Sequence, residues 1–200
     1  MVPRESAFVG TPRAIPYSVP MDLRNRHVVV TGAGRGIGRA LAHRFHAAGA
    51  RGVVVADVLA DDVQRTASEL EMVRSGSALG IVSDVSTPEG NRELIGAAER
   101  AFGPIDLFFA NAGIGTGTDL DTPDDVWDRV LQINTMAHVY AARLLVPGWV
   151  ARGEGYFCST ASAAGLLSQI GSAPYSVSKH AAVAFAEWLS ITYGDRGVRV

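Results

Sequence analysis

The stretch "HVVVTGAGRGIGRALAHRFHAAG", residues 27–49, decides the fold. Its opening run "HVVVT" (27–31) is β-branched and apolar enough for a strand buried on both faces. Its closing run "GIGRALAHRFHAAG" (36–49) has helical spacing and ends on Gly49, a residue suited to stopping a helix. Between them lies "TGAGRGIG" (31–38). Glycine lets a backbone turn tightly and approach a pyrophosphate closely. The helix that follows offers free N–H groups and the positive end of its dipole. Gly32, Gly36 and Gly38 follow the spacing G-x-x-x-G-x-G, since position 37 is Ile. No G-K-[ST] follows, so the loop is not a P-loop.

Outward from this stretch the alternation continues. "GVVVAD" (52–57) predicts a second strand, "ADDVQRTASELEMVR" (60–74) a polar-faced helix, and "LGIVSDV" (79–85) a third strand. Thr87-Pro88-Glu89 reads as a helix start, with Thr as N-cap and Pro in the first turn. "IDLFFAN" (105–111) predicts a fourth strand. "TPDD" (122–125) has capping-box spacing, and a long helix is expected from there to about Val146, before Pro147. "GYFCST" (155–160) predicts a fifth strand, and a helix is expected over 174–193, ending near Gly194. "GVRV" (197–200) opens a sixth strand in which the sequence stops. Strands alternating with helices predict an α/β fold: a three-layer, doubly wound parallel sheet, Rossmann-like and apparently truncated in its sixth strand. Ligand is expected beyond the carboxyl ends of the strands, where the winding reverses.

Residues 1–20 contain Pro3, Pro12, Pro16 and Pro20 and no continuous apolar core. They read as a flexible N-terminal extension and not as a secretory signal. Residues 21–200 read as one Rossmann-like domain, and Met21 is a candidate for the true start. The 200 residues are 48% hydrophobic and 19% charged, the balance of a soluble globular chain. A net charge of −2 implies no broad cationic surface for nucleic acid. No apolar run reaches membrane-spanning length. The single cysteine, Cys158, reads as a buried thiol in a reducing compartment, hence cytoplasmic. The histidines form no H-E-x-x-H set, so no metal is expected, and His43 and His46 are expected at the surface.

Asp57 closes the second strand about 20 residues past the glycine loop, where a carboxylate can accept from adenosine ribose hydroxyls. It would repel a 2′-phosphate and so favours NAD over NADP. Arg35 argues the other way, because it could meet that phosphate. Tyr175 and Lys179 are i,i+4 and share a helix face. Lys179 is the one lysine among 18 Lys and Arg residues. A nearby cation favours a phenolate, which suits general acid–base work. A compact ammonium can also donate to ribose hydroxyls.

"TGAGRGIG", "ANAG" (110–113), Asn134, Ser162 and Tyr175-x-x-x-Lys179 stand in the order and spacing of the short-chain dehydrogenase/reductase family, which residues 23–200 resemble. The resemblance implies that Tyr175 is the catalytic acid/base and that Lys179 favours its phenolate and holds the nicotinamide ribose. It implies that Ser162 hydrogen-bonds the substrate oxygen and that Asn134 supports a water-mediated proton relay to Lys179. Gly32, Arg35, Gly36, Ile37 and Gly38 would form the cofactor loop. Asp84 would touch the adenine with Val85 beside it, and Asn111, Ala112 and Gly113 would line the cofactor cleft. The implied reaction is hydride transfer between NAD(H), less favourably NADP(H), and a small-molecule alcohol or carbonyl compound. Leu166, Leu167, Gln169 and Ile170 are candidates for the pocket lining and suggest an apolar secondary alcohol or ketone. Helices 123–146 and 174–193 are expected to pair in a homodimer or homotetramer. Family members continue beyond the sixth strand with a substrate lid and a seventh strand. The alternative is therefore a non-catalytic cofactor-binding fragment. The group that modifies nucleotide sugars fits less well, because its loop is T-G-x-x-G-x-x-G.

Overall fold

The computed structural model describes residues 21–116 and 118–200. The expectations for residues 1–20 lie outside the described residues. Six parallel strands form one sheet: β1 (His27–Thr31), β2 (Gly52–Asp57), β3 (Ala78–Val82), β4 (Leu107–Ala110), β5 (Gly155–Ser159) and β6 (Val198–Arg199). Their spatial order is β3-β2-β1-β4-β5-β6. The chain winds outward from β1 to β3, then returns to pair β4 on the other side of β1. The crevice between β1 and β4 is therefore the switch point at which an α/β sheet binds its ligand.

Helices α1 (Gly36–Ala47) and α2 (Ala60–Val73) cover one face, packing Ala42 and Leu70 onto Val28, Val30, Val53 and Val55. Helix α3 (Pro88–Phe102), the pair α4 (Asp124–Leu131) and α5 (Ala137–Arg152), and α6 (Ala173–Tyr193) cover the other. There Leu94, Ala141, Trp149 and Leu189 close on Val29, Val54, Phe108 and Phe157. Both faces of β1 are dry, which explains why its side chains show no polar alternation. Strand β3 lies at the edge and is only half-buried.

Several boundaries differ from expectation, each for a physical reason. Strand β3 ends at Val82, not Val85; Ser83 N still donates to Asp57 O, and Asp84 then turns the chain by accepting from Ser86 N. Thr87 caps α3 as expected, accepting from Gly90 N at 3.0 Å. The capping box at 122–125 does not form. Thr122 Oγ1 instead accepts from Thr118 N, and α4 starts after Pro123 without a side-chain cap. The long helix does not stop at Pro147: α5 carries that proline inside it and runs to Arg152, ending at Gly153 with φ 74°. Trp149 anchors this last part, buried and donating through Nε1 to Ile105 O at 2.8 Å. Between α4 and α5 the helix opens into a π turn, Gln132–Met136. His46 is buried, not exposed, with Nε2 2.7 Å from Ser77 Oγ, whereas His43 is half-exposed beside Glu69. Cys158 is half-buried on β5, and burial pushes its thiol pKa up. No helix of the described residues is long and apolar enough to cross a membrane.

At the amino end of the sheet, Asp106 gathers charge just before β4. Its carboxylate accepts from His27 N and lies 3.2 Å from Arg51, 3.5 Å from Arg26 and 3.7 Å from Arg152. Arg26 is also paired with Glu154 at 2.9 Å.

Candidate active site

The glycine loop connects β1 to α1 at the carboxyl end of the sheet. Gly38 must be glycine for packing, because a Cβ there would stand 2.1 Å from the Gly32 carbonyl oxygen. Gly36 is different. Its φ is +56°, and a Cβ would meet no protein atom within 4 Å, so it opens the loop toward the cleft. The first N–H groups of α1 lack intrahelical partners by construction and face an anion-accepting end.

The cleft has two adjoining hollows that share Arg35, Asn111, Gly113 and Ile114. One, about 800 Å³, lies over the ends of β2 and β3 and is lined by Gly32, Asp57, Asp84, Val85 and Ala112. The other, about 880 Å³, lies over β4 and β5 and is lined by Gly36, Ile37, Gly38, Ser162, Tyr175 and Lys179. All the cofactor-site residues expected from sequence thus line one continuous cleft. Asp57 bonds backbone as well: Oδ2 accepts from Gly34 N at 3.1 Å and Oδ1 from Val58 N at 2.8 Å. Of the four residues expected to line a substrate pocket, Gln169 faces the second hollow. Leu166, Leu167 and Ile170 are exposed outside it, because the chain after the short 3-10 turn at Ala163–Gly165 has nothing packed over it among the described residues.

Helix α6 places Tyr175 and Lys179 on one face, with Nζ 5.8 Å from the phenol ring centroid. Lys179 is 3% exposed, donates to Thr160 O at 2.8 Å, and has no carboxylate within ion-pair distance among the described residues. Burial pushes its pKa down. Ser162 precedes the 3-10 turn and accepts from Ala164 N. Asn134 is fully buried in the π turn. It accepts from Ile114 N at 2.8 Å, donates to Ile114 O at 2.9 Å and donates to Ser178 Oγ at 3.0 Å. Its side chain therefore holds the β4 loop against α6, and does not itself line the hollow. One turn on, His138 is buried with Nδ1 3.1 Å from Ser159 Oγ. Burial first, and then the Lys179 charge, lower its pKa to about 4.

Three further residues support the site in roles that the sequence did not assign to them. Thr31 Oγ1 accepts from Asn111 N and Ala112 N at 3.0 Å each. Thr160 Oγ1 donates to Asn111 Oδ1 at 2.9 Å. Ser178 Oγ donates to Tyr175 O at 2.8 Å. The one available signal was a hydroxyl on the buried face of an apolar helix, directly beside Lys179.

Fold and cleft together define a Rossmann-type α/β protein with a Tyr-Lys pair in the cleft at the carboxyl end of its sheet. The family model for short chain dehydrogenase matches residues 26–200, and the chain belongs to that family. It is 40% identical over 184 residues to 1-deoxy-11-beta-hydroxypentalenate dehydrogenase of Streptomyces exfoliatus, covering 90% of this chain and 66% of that protein. It is 32% identical to 3beta-hydroxysteroid dehydrogenase 2 of Eggerthella lenta, covering 88% and 68%. A crystal structure of a short chain dehydrogenase/reductase from Burkholderia phymatum in complex with NAD superposes with a TM-score of 0.85 at 33% identity, covering 90% of this chain and 65% of that one. The chain thus spans about two thirds of these relatives.

Proposed function

We propose that the protein is an oxidoreductase that moves a hydride between NAD(H) and a secondary alcohol or its ketone. The observation that carries this is one cleft wall: Tyr175 and Lys179 on one helix face, Ser162 in the same hollow, and the open Gly36 opposite. The residues fit a nicotinamide dinucleotide. Gly36 leaves room for close approach of a pyrophosphate, and a buried ammonium whose partner is a carbonyl suits neutral hydroxyl oxygens. Arg35, Gly36, Ile37, Gly38, Asp57, Asp84, Val85, Asn111, Ala112 and Gly113 would hold the cofactor, with Lys179 on its nicotinamide ribose. When bound, the nicotinamide supplies the hydride acceptor or donor.

Tyr175 takes the proton from the substrate hydroxyl in oxidation and returns it in reduction. Ser162 donates to the same oxygen and steadies charge that develops there. Lys179 keeps a positive charge beside the phenol. Asn134 fixes the Ile114 backbone and supports the water-mediated path to Lys179. Asp57 selects NAD over NADP by repelling a 2′-phosphate. The similarity to hydroxypentalenate and hydroxysteroid dehydrogenases supports an alcohol or ketone substrate. Self-association through α5 and α6 is part of the same proposal. They border an apolar groove lined by Val146, Phe185, Trp188 and Leu189. A monomeric mass by light scattering would contradict it.

Calorimetric titration of the 200-residue chain with NADH and NADPH tests the core of the reading. NADH is expected to bind well and NADPH at least tenfold more weakly. Binding of neither would overturn it. Binding without turnover of any secondary alcohol would favour a non-catalytic cofactor-binding unit.

A further inference from the structure

Helix α2 carries Thr66 on its buried face, between Val63 and Leu70. Threonine is a mediocre helix former, and an apolar residue would fill a dry position without a polar group. A helical threonine commonly bonds back to the carbonyl four residues earlier. Here the hydroxyl leaves its own helix. Thr66 is 0% exposed, and Oγ1 donates to the carbonyl oxygen of Gly34 at 3.0 Å. Gly34 lies in the middle of "TGAGRGIG" and is itself buried.

The same residue is held from other sides. Gly34 N donates to Asp57 Oδ2 at 3.1 Å. Arg65 Nη2 donates to Gly34 O at 3.3 Å and to Asp62 Oδ1 at 2.5 Å. The approach is close: a Cβ on Gly34 would stand 2.7 Å from Asp62 Cβ. A flexible glycine run loses much entropy when it is ordered on a ligand. Bonds that fix its central residue beforehand remove part of that cost.

We propose that Thr66 is a positioning residue for the dinucleotide loop, fixing the Gly34 carbonyl from beneath while Asp57 fixes its N–H. This rests on the dinucleotide reading above and assigns to α2 a role in cofactor affinity. The carboxylate placed to meet the adenosine ribose and the shape of the pyrophosphate loop both depend on Gly34, through the peptide units on its two sides.

The test compares Thr66→Val, which keeps shape and loses the donor, with Thr66→Ser, which keeps the donor. NADH affinity is measured by calorimetry on the full chain, and amide exchange at residues 34–36 by NMR in the free protein. T66V should weaken NADH about five- to tenfold, the loss expected when a buried carbonyl loses a donor. It should also speed exchange at 34–36, while T66S stays within about twofold of the parent on both readings. Parent-like affinity and exchange in T66V would overturn the proposal. T66S as impaired as T66V would also overturn it, since the methyl and not the hydroxyl would then matter. If T66V does not fold, Thr66→Ala is read by the same criteria. Parent protein that binds no dinucleotide would sink the cofactor reading and the purpose given to the clamp. Loop exchange would still report whether the clamp itself exists.

Discussion

The two ends of the sheet hold charge in opposite ways. At the amino end Asp106 is surrounded by Arg26, Arg51 and Arg152, and Arg26 is shared with Glu154. Each of these three arginines has a carboxylate within 4 Å. At the carboxyl end Lys179 is nearly inaccessible yet has only a backbone carbonyl as partner, and Arg35 is exposed in the cleft mouth. Burying an unpaired ammonium costs several kcal/mol of desolvation that pairing would offset. A fold selected for stability alone would pair or replace it. The amino end is thus organised to hold elements together, and the carboxyl end keeps charge available for something else.

Tyr175→Phe should break the carboxyl end most sharply. Removing one oxygen deletes the acid/base and leaves the ring. Turnover of any accepted alcohol should fall about 10²- to 10⁴-fold, while NADH affinity and melting temperature hardly move. Steady-state kinetics and calorimetry on the same samples check this. Undiminished turnover would remove Tyr175 from the chemistry.

Acidification should produce the next largest effect. His138 has a folded pKa of about 4 against an ordinary value of 6.5, because burial and then Lys179 disfavour its charged form. Above pH 6.5 both folded and unfolded forms are neutral, so it contributes nothing. Between pH 6.5 and 4 the unfolded chain binds the proton and the folded chain does not, so stability falls with pH, by about 3 kcal/mol across the window. His27, at the amino end, acts in the same direction through its own burial. Denaturant unfolding at several pH values should show this loss, and His138→Gln should remove much of the slope. An unchanged slope would mean that His138 is not the residue that titrates.

How far sequence reveals such a molecule depends on which atoms do the work. The β1 loop, α1 and β2 were legible because their cues are local: β-branched runs, glycines and a terminal Asp57. Tyr175 and Lys179 were legible because helical spacing alone aligns them. The seats of these residues were not. Lys179 is held by the Thr160 carbonyl, Asn134 by the amide and carbonyl of Ile114, and the glycine loop by Thr66 through the Gly34 carbonyl. Backbone acceptors exist at every position, so no residue type marks the ones that matter. The π turn at Asn134 was hidden for a related reason, since apolar spacing runs on through it. Pro147 misled in the other direction. Proline removes one helix bond, but the buried Trp149 two residues later keeps the helix going.

The smallest effect separates the two ends most cleanly. Arg51→Ala and Arg35→Ala remove the same group from opposite ends. Arg51 donates to the carbonyls of Asn25, Phe102 and Pro104 and to Asp106. Its loss should cost about 1–2 kcal/mol in denaturant unfolding and leave NADH affinity unchanged. Arg35 has no side-chain partner among the described residues and lines both hollows of the cleft. Its loss should leave stability within about 0.5 kcal/mol and weaken dinucleotide binding a few-fold, more for NADPH than for NADH. The arginine that bonds most to protein should matter least to the ligand. If both variants lost stability alike and neither changed binding, the contrast between a paired and an available cation would carry no functional meaning.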